Sequence, residues 1–477
     1  MSKKQQLLKK HRQKKRFILI GFAIFILTWL VASFFAPVLA CFIPLLLIAI
    51  WVIHETWLAD HLFYSPKQDY LYQFPAETLQ FQTSLNQNTL AIKGELTDEL
   101  DTLFLAINIK SSLAGLFFDP YILIEDGQVI DRQDFERGSQ GLRYINLSGL
   151  ANSLKQGQIK LFVKHCKIMS EPTLYGFNNP DYTQQKIMVI APHADDAELA
   201  AFGQYSQAKE ASIITLTQGE IEAEHYQSVF NLTQQEAAQL KGRLRSWDSI
   251  ATPLWGGIRT TNSVQLGYYC LQLKAMQQLP EQIFASKESG ETDTRLVRIF
   301  NTLPLPSDND GLPTGYNLKN DLVFLIEHFK PEVIMMPHSE LDPHEDHIAA
   351  SLLVNEVLQT TTWQPTTQLL YANHLPDNDR WPMGPAYNGI TLPPMTDNLP
   401  AYGLWSPVLS KQTQIDKAMV LAMQHDLQPP MSTKRRLRRF IQKLLTKRNH
   451  PMSGENDFFR KAVRKQELFW VKPNLFK

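Results

Sequence analysis

A chain of 477 residues, 44% hydrophobic and 20% charged, is longer than one hydrophobic core organises and too apolar to be disordered. Its 47 basic and 47 acidic residues cancel, but residues 1–16 and 434–448 each carry eight Lys or Arg and no acid, which leaves 47 − 16 = 31 basic against 47 acidic residues between them and excludes a nucleic-acid binder with a broad basic face. Three cysteines, Cys41, Cys166 and Cys270, with no CxxC spacing, exclude a disulfide framework and a cysteine-rich zinc site.

After the basic tail of residues 1–16, no charge occurs from Phe17 to Ile53. One helix of that length would reach about 55 Å, against about 30 Å of hydrocarbon core. The pattern therefore predicts two transmembrane helices within residues 17–53, turning at Ala36-Pro37, with membrane lipid as a partner. The basic tail predicts a cytoplasmic N-terminus, a multi-pass inner (plasma) membrane protein and a cytoplasmic catalytic body. A single tilted or re-entrant span that exports the body is the alternative.

Residues 65–178 alternate apolar and polar positions in short runs such as LFLAINIK and YILIEDGQVI, with turn residues such as Asp126-Gly127, and predict a small all-β sandwich. Beyond Tyr175–Pro180 the pattern becomes buried strand followed by helix, as in KIMVIAP then DDAELAAFGQYSQAK. This predicts an α/β Rossmann-like domain over residues 181–430 with a parallel sheet, whose ligands collect beyond the carboxyl ends of the strands. Residues 431–477 form a basic C-terminal segment in which KRRLRRFIQKLLTKR is an amphipathic helix suited to anionic lipid.

Two loops at such strand ends carry chemistry. Pro192-His193-Ala194-Asp195-Asp196 joins an apolar strand to a helix start, where ionised aspartates are favoured. A helix cap beside an ordinary loop histidine is the simpler alternative. The second, His338 to His347, reads as an N-cap at Asp342, a first helical residue at Pro343 and a capping-box partner at Glu345, with His344 and His347 on one helix face. Together the loops offer two His and one Asp, the composition of a divalent metal site with an open position, which implies hydrolysis of an amide.

The motifs APHADD and HEDH resemble those of the LmbE-like, or PIG-L, family of zinc-dependent de-N-acetylases, over about 190 residues from Lys186 to around His374. The resemblance implies Zn²⁺ held by His193, Asp196 and His347, with Asp195 as general base. It further implies that a protonated His344 stabilises the oxyanion, that Asp346 orients His344, and that Glu220, in a TxGE-like loop, lies near the substrate. The chain departs from the family pattern at Ala194, where proline is usual, and at Ala197, where glutamate is usual and Glu198 follows one position late. The implied activity is that of an N-acetylglucosamine deacetylase, acting on the acetamide of an N-acetylated sugar and, given the expected anchor, on a glycolipid or lipid-linked glycan. A metal-dependent hydrolase of another bond and a tethered glycan-binding protein with a vestigial site are the alternatives.

Overall fold

The change of pattern at Tyr175–Pro180 is a change of sheet. A computed structural model describes residues 3–58, 64–96, 100–127, 130–375, 380–395, 399–428, 433–447 and 458–473. Among them, nine strands precede the linker: β1 (Leu79–Asn86), β2 (Thr89–Lys93), β3 (Thr102–Ser111), β4 (Tyr121–Glu125), β5 (Ile130–Asp134), β6 (Gln140–Asn146), β7 (Lys160–Lys164), β8 (Cys166–Ile168) and β9 (Thr173–Phe177). They form one sheet in the order β5-β4-β7-β2-β1-β9-β3-β6, with β8 also on β3.

The expected two-sheet sandwich is therefore corrected to a single antiparallel sheet curled toward a barrel. The reason lies in β3, whose ten residues pair with β6, β8 and β9, so the ladder has no break at which two sheets could separate. Alternation along β3 sends Leu103, Leu105, Ile107 and Ile109 into the curl. Phe104 and Ala106 point the other way and share a core with Met188, Ile190 and Ile334 of the following domain.

That domain contains β10 (Lys186–Ala191), β11 (Glu210–Thr217), β12 (Ser263–Tyr268), β13 (Val333–Pro337), β14 (Thr367–Tyr371), β15 (Gly403–Trp405) and β16 (Phe469–Pro473). Their order is β12-β11-β10-β13-β14-β16-β15. The first five run parallel, and β16 and β15 extend the sheet antiparallel. The parallel strands β10, β11, β13 and β14 bury apolar side chains on both faces, which is why they read as apolar runs, whereas the edge strand β12, SVQLGY, alternates. The chain winds from β10 outward through β11 to β12, then crosses to β13 on the other side. The crevice between β10 and β13 is thus the topological switch point.

The N-terminal expectation is overturned. Helices span Lys3–Phe35 and Pro37–Ile53 with a break at Ala36. Among the described residues, however, no helix is long and apolar enough to cross a membrane. The turn divides the charge-free run: the second helix has 17 residues and reaches about 25 Å, short of a hydrocarbon core of about 30 Å, while the first is continuous with the basic run. The transmembrane hairpin and the multi-pass inner-membrane placement fall together. The basic helix Thr433–Thr446 lies against the chain itself, with Gln442 Nε2 donating to the Glu55 carbonyl at 3.1 Å and Arg438 Nε 3.4 Å from the Glu55 carboxylate.

Glu467, just before β16, fastens the C-terminal segment to the helix Asp196–Tyr205. It accepts from Gly203 N at 2.9 Å, Gln204 Nε2 at 3.1 Å and the buried Lys417 Nζ at 2.6 Å. Removing one partner strands a buried charge, so Glu467→Ala is expected to lower stability by about 3–5 kcal/mol in chemical denaturation. The double replacement Lys417→Met with Glu467→Leu should recover part of that loss.

Candidate metal centre

The loops after β10, β11, β12, β13 and β14 converge at the switch point. His193 follows β10, and Asp196 opens the next helix, where the helix N-terminus favours its negative charge. Asp196 Oδ2 accepts from His193 N at 2.8 Å, which locks the two residues of this loop together. His347 comes from the first turn of the helix Glu345–Leu358 after β13. His193 Nδ1 lies 3.2 Å from Asp196 Oδ2, His347 Nε2 lies 3.2 Å from the same oxygen, and the two nitrogens are 3.4 Å apart. Donors about 2.0–2.1 Å from a tetrahedral ion lie roughly 3.3 Å from one another, so this near-equilateral triangle fits a divalent cation.

Each of the three side chains is held from behind. His193 Nε2 is 3.3 Å from Asp346 Oδ2, and His347 Nδ1 is 2.8 Å from Asp342 Oδ2. Asp196 Oδ1 accepts from Asn373 Nδ2 at 2.8 Å. Such outer partners fix which imidazole nitrogen faces the ion. Asp342 is therefore not the expected helix cap: its carboxylate is taken by His347 and by the amides of His344, Asn373 and His374, and the cap passes to His344. Asp346 turns its carboxylate to His193 and to the Leu271 amide at 2.8 Å, while its own N–H donates to His344 Nδ1 at 3.3 Å.

The other sequence-predicted residues sit around this cluster. Asp195 is buried, and its Oδ1 accepts from Arg245 Nη2 at 2.8 Å. The His344 ring lies 4.9 Å from the rings of both His193 and His347. Burial, with His193 and His347 alongside, pushes its pKa down to about 3. Glu220 is buried and accepts from Cys270 N at 3.2 Å and Ser286 Oγ at 2.9 Å, bracing the loop after β12. His338 is not brought to the site: it is buried against Tyr402 and Trp470, with ring centroids 5.1 and 5.4 Å away.

Arg245, Asn373, His374 and Cys270 escaped sequence reasoning. Cys270 groups with His193 and Asp346, and His374 with Asp196 and His347, as further possible donors. The rule that ligands collect at strand ends applies to the loop after β14 as it does to the others and points to Asn373 and His374. For Arg245 the signal is its spacing of four from Lys241 on the helix Gln234–Ala251, which puts two cations on a face that buries Ala238 and Gly242.

Four buried carboxylates, Asp195, Asp196, Asp342 and Asp346, surround two imidazoles, with Arg245 within reach of one of them. The imbalance shows in protonation. Burial alone would push His347 down, yet Asp196 and Asp342 carry it up to about 10. Burial would raise Asp342, yet His347 draws it down to about 2. The pocket is built to hold positive charge.

An α/β domain with two imidazoles and a carboxylate gathered at its switch point defines the class. Residues 188–358 match the family model described as PIG-L, GlcNAc-PI de-N-acetylase, and the chain carries a PIG-L (LmbE-like) domain there. No curated relative matches the chain. Solved structures similar to it include an N,N'-diacetylchitobiose deacetylase from Pyrococcus horikoshii (13% identity, 61% of this chain and 85% of that one, TM-score 0.32). Others are the zinc-inhibited form of teicoplanin deacetylase Orf2 (13%, 61% and 100%, TM-score 0.30) and GalB, the 4-carboxy-2-hydroxymuconate hydratase from Pseudomonas putida KT2440 (14%, 62% and 99%, TM-score 0.32).

The displaced histidine gives a pH prediction. Burial lowers the pKa of His338 to about 3, below the unfolded value of about 6.5. The unfolded chain then binds more protons as pH falls, so stability is full above pH 6.5 and lost below it. Between pH 6.5 and 5 this residue should cost about 1.5 kcal/mol. His338→Phe is expected to remove that share of the acid sensitivity, read by comparing denaturation midpoints of the two proteins at both pH values.

Proposed function

We propose that the protein hydrolyses the acetamide of an N-acetylated sugar, an N-acetylhexosamine, with Zn²⁺ held by His193, Asp196 and His347. The observation that carries this reading is the triangle of donor atoms 3.2, 3.2 and 3.4 Å apart, each residue braced by its own outer partner. The PIG-L match supports the choice of bond. A glycolipid acceptor was inferred from an anchor and loses its basis with it.

A divalent cation bound there supplies a Lewis acid that polarises the acetyl carbonyl and acidifies a water molecule. Asp195, aimed by Arg245, takes the proton from that water as its oxygen attacks the carbonyl carbon, and passes a proton to the departing amine. His344 acts as a hydrogen-bond donor. Its Nδ1 is occupied by the Asp346 N–H, so Nε2 carries the ring proton toward the charge that develops on the acetyl oxygen. Asp346 serves His193 in this scheme, and Asp342 serves His347.

Asp195→Asn should keep its metal and lose about 10²–10⁴-fold in kcat, measured as acetate release from N-acetylglucosamine and N,N'-diacetylchitobiose. Metal loss on that substitution, or no acetate from metal-replete wild type on any N-acetylhexosamine, would sink the assignment. Asp342→Ala, which frees the His347 ring, is expected to weaken zinc binding about 10–100-fold in chelator competition.

A further inference from the structure

The turn that ends the helix Lys411–Met423 lies outside residues 188–358, yet it reaches the centre by two routes. Gln424 Nε2 donates to the Ala194 carbonyl at 2.8 Å, inside the loop that carries His193 and Asp195. Asp426 Oδ2 accepts from Arg245 Nη1 at 2.6 Å, while Arg245 Nη2 donates to Asp195 Oδ1 at 2.8 Å. The other Asp426 oxygen is 3.1 Å from Lys241 Nζ, which donates to the Ile221 carbonyl at 2.6 Å. Asp195, Arg245, Asp426 and Lys241 thus form a ladder of alternating charge that ends on the loop after β11.

The guanidinium depends on this ladder for its direction. It is 5% exposed, and its Nε has no partner among the described residues, so the two carboxylates at its opposite ends set its orientation. Gly219 closes one side, where a Cβ would lie 2.1 Å from Arg245 Nε. Asp426 itself is 30% exposed and belongs to a surface turn. Among the described residues its carboxylate pairs with Arg245 and Lys241 and with none of His193, Asp196 and His347. Its contacts bear on the site through Arg245 and, by way of Lys241, through the loop after β11.

We propose that Asp426 is a positioning residue for the reaction: it fixes the Arg245 guanidinium so that Asp195 points at the attacking water. This rests on the reading of Asp195 as general base. A carboxylate two contacts away from the base contributes to geometry in the transition state and not to sugar binding, so kcat carries the effect and KM does not.

The test compares the metal-replete full chain with Asp426→Ala and Asp426→Glu, using acetate release from N,N'-diacetylchitobiose, bound metal, and amide hydrogen exchange over residues 194–196. Asp426→Ala is expected to lower kcat about tenfold with KM and metal content unchanged and exchange at 194–196 faster, and Asp426→Glu to restore most of the rate. Lys241→Met, one contact further out, should shift kcat the same way by less. Wild-type kcat in Asp426→Ala overturns the proposal, as does a loss that comes with metal release or that Asp426→Glu leaves in place. Should wild type release no acetate, the proposed function fails by itself, and the exchange data decide the ladder: unchanged protection at 194–196 overturns it.

Discussion

The domain depends on the cost of packing four aspartates out of water around two imidazoles. Like charges at such spacing repel strongly in a low-dielectric interior, and a fold tolerates them when positive charge is held among them. Arg245 supplies part, and the imidazoles can take protons, as the raised His347 shows. A divalent ion held by His193, Asp196 and His347, as proposed above, would meet the same demand with the rings neutral. Every outer partner in the site reads as a consequence: Asp342, Asp346 and Asn373 each turn one atom so that the opposite atom faces the common centre.

The scaffold makes that arrangement rigid. His193 and His347 come from loops 154 residues apart in sequence, but β10 and β13 are hydrogen-bonded neighbours, with Ile187 paired to Val333 and Val189 to Met335. Loops leaving two adjacent parallel strands at the same end start within a strand spacing of each other, so short loops suffice to bring His193 and His347 together. The curled sheet of β1–β9 packs its second face on the same core, and β16 with Glu467 grips the helix that begins at Asp196. Burial on both sides stiffens the part of the chain that must hold donor atoms to within a few tenths of an ångström.

What was legible in the sequence follows from what is local. A buried parallel strand followed by a polar loop and a helix start is written in consecutive residues, so the α/β domain and the places of His193, Asp195, Asp196, His344 and His347 could be read from it. The pairing of outer partners is not local. Asp342 looks like a cap because Pro343 follows it, and only the folded chain reveals that His347 competes for the same carboxylate and wins. The sequence pattern pairs Asp346 with its neighbour His344, whereas the strand order brings His193 to its carboxylate from the adjacent strand β10. The β-domain failed differently: alternation tells which face of a strand is buried, not whether the ladder closes into one sheet or divides into two, and β3 decides that through its three partners. The charge-free N-terminal run breaks where the sequence places its turn, at Ala36, but the second helix has only 17 residues and the first continues the basic tail, so among the described residues neither is long and apolar enough to cross a membrane.

The two departures from the family pattern have a structural account. Where the family has a glutamate directly after the second aspartate, this chain has Ala197, and its glutamate comes one residue later. On a helix of 3.6 residues per turn that step rotates a side chain by about 100°, away from the pocket and onto the rear face. Glu198 accordingly accepts from the Tyr205 hydroxyl at 3.1 Å and from Gln424 Nε2 at 3.2 Å, and burial raises its pKa to about 8. Ala197 joins the apolar cluster behind the sheet. Ala194, in place of proline, is buried, and the same Gln424 amide that bonds Glu198 also reaches its carbonyl. One glutamine from the far end of the chain thus ties the loop to the shifted glutamate, and the loop that proline would stiffen from within is held from outside.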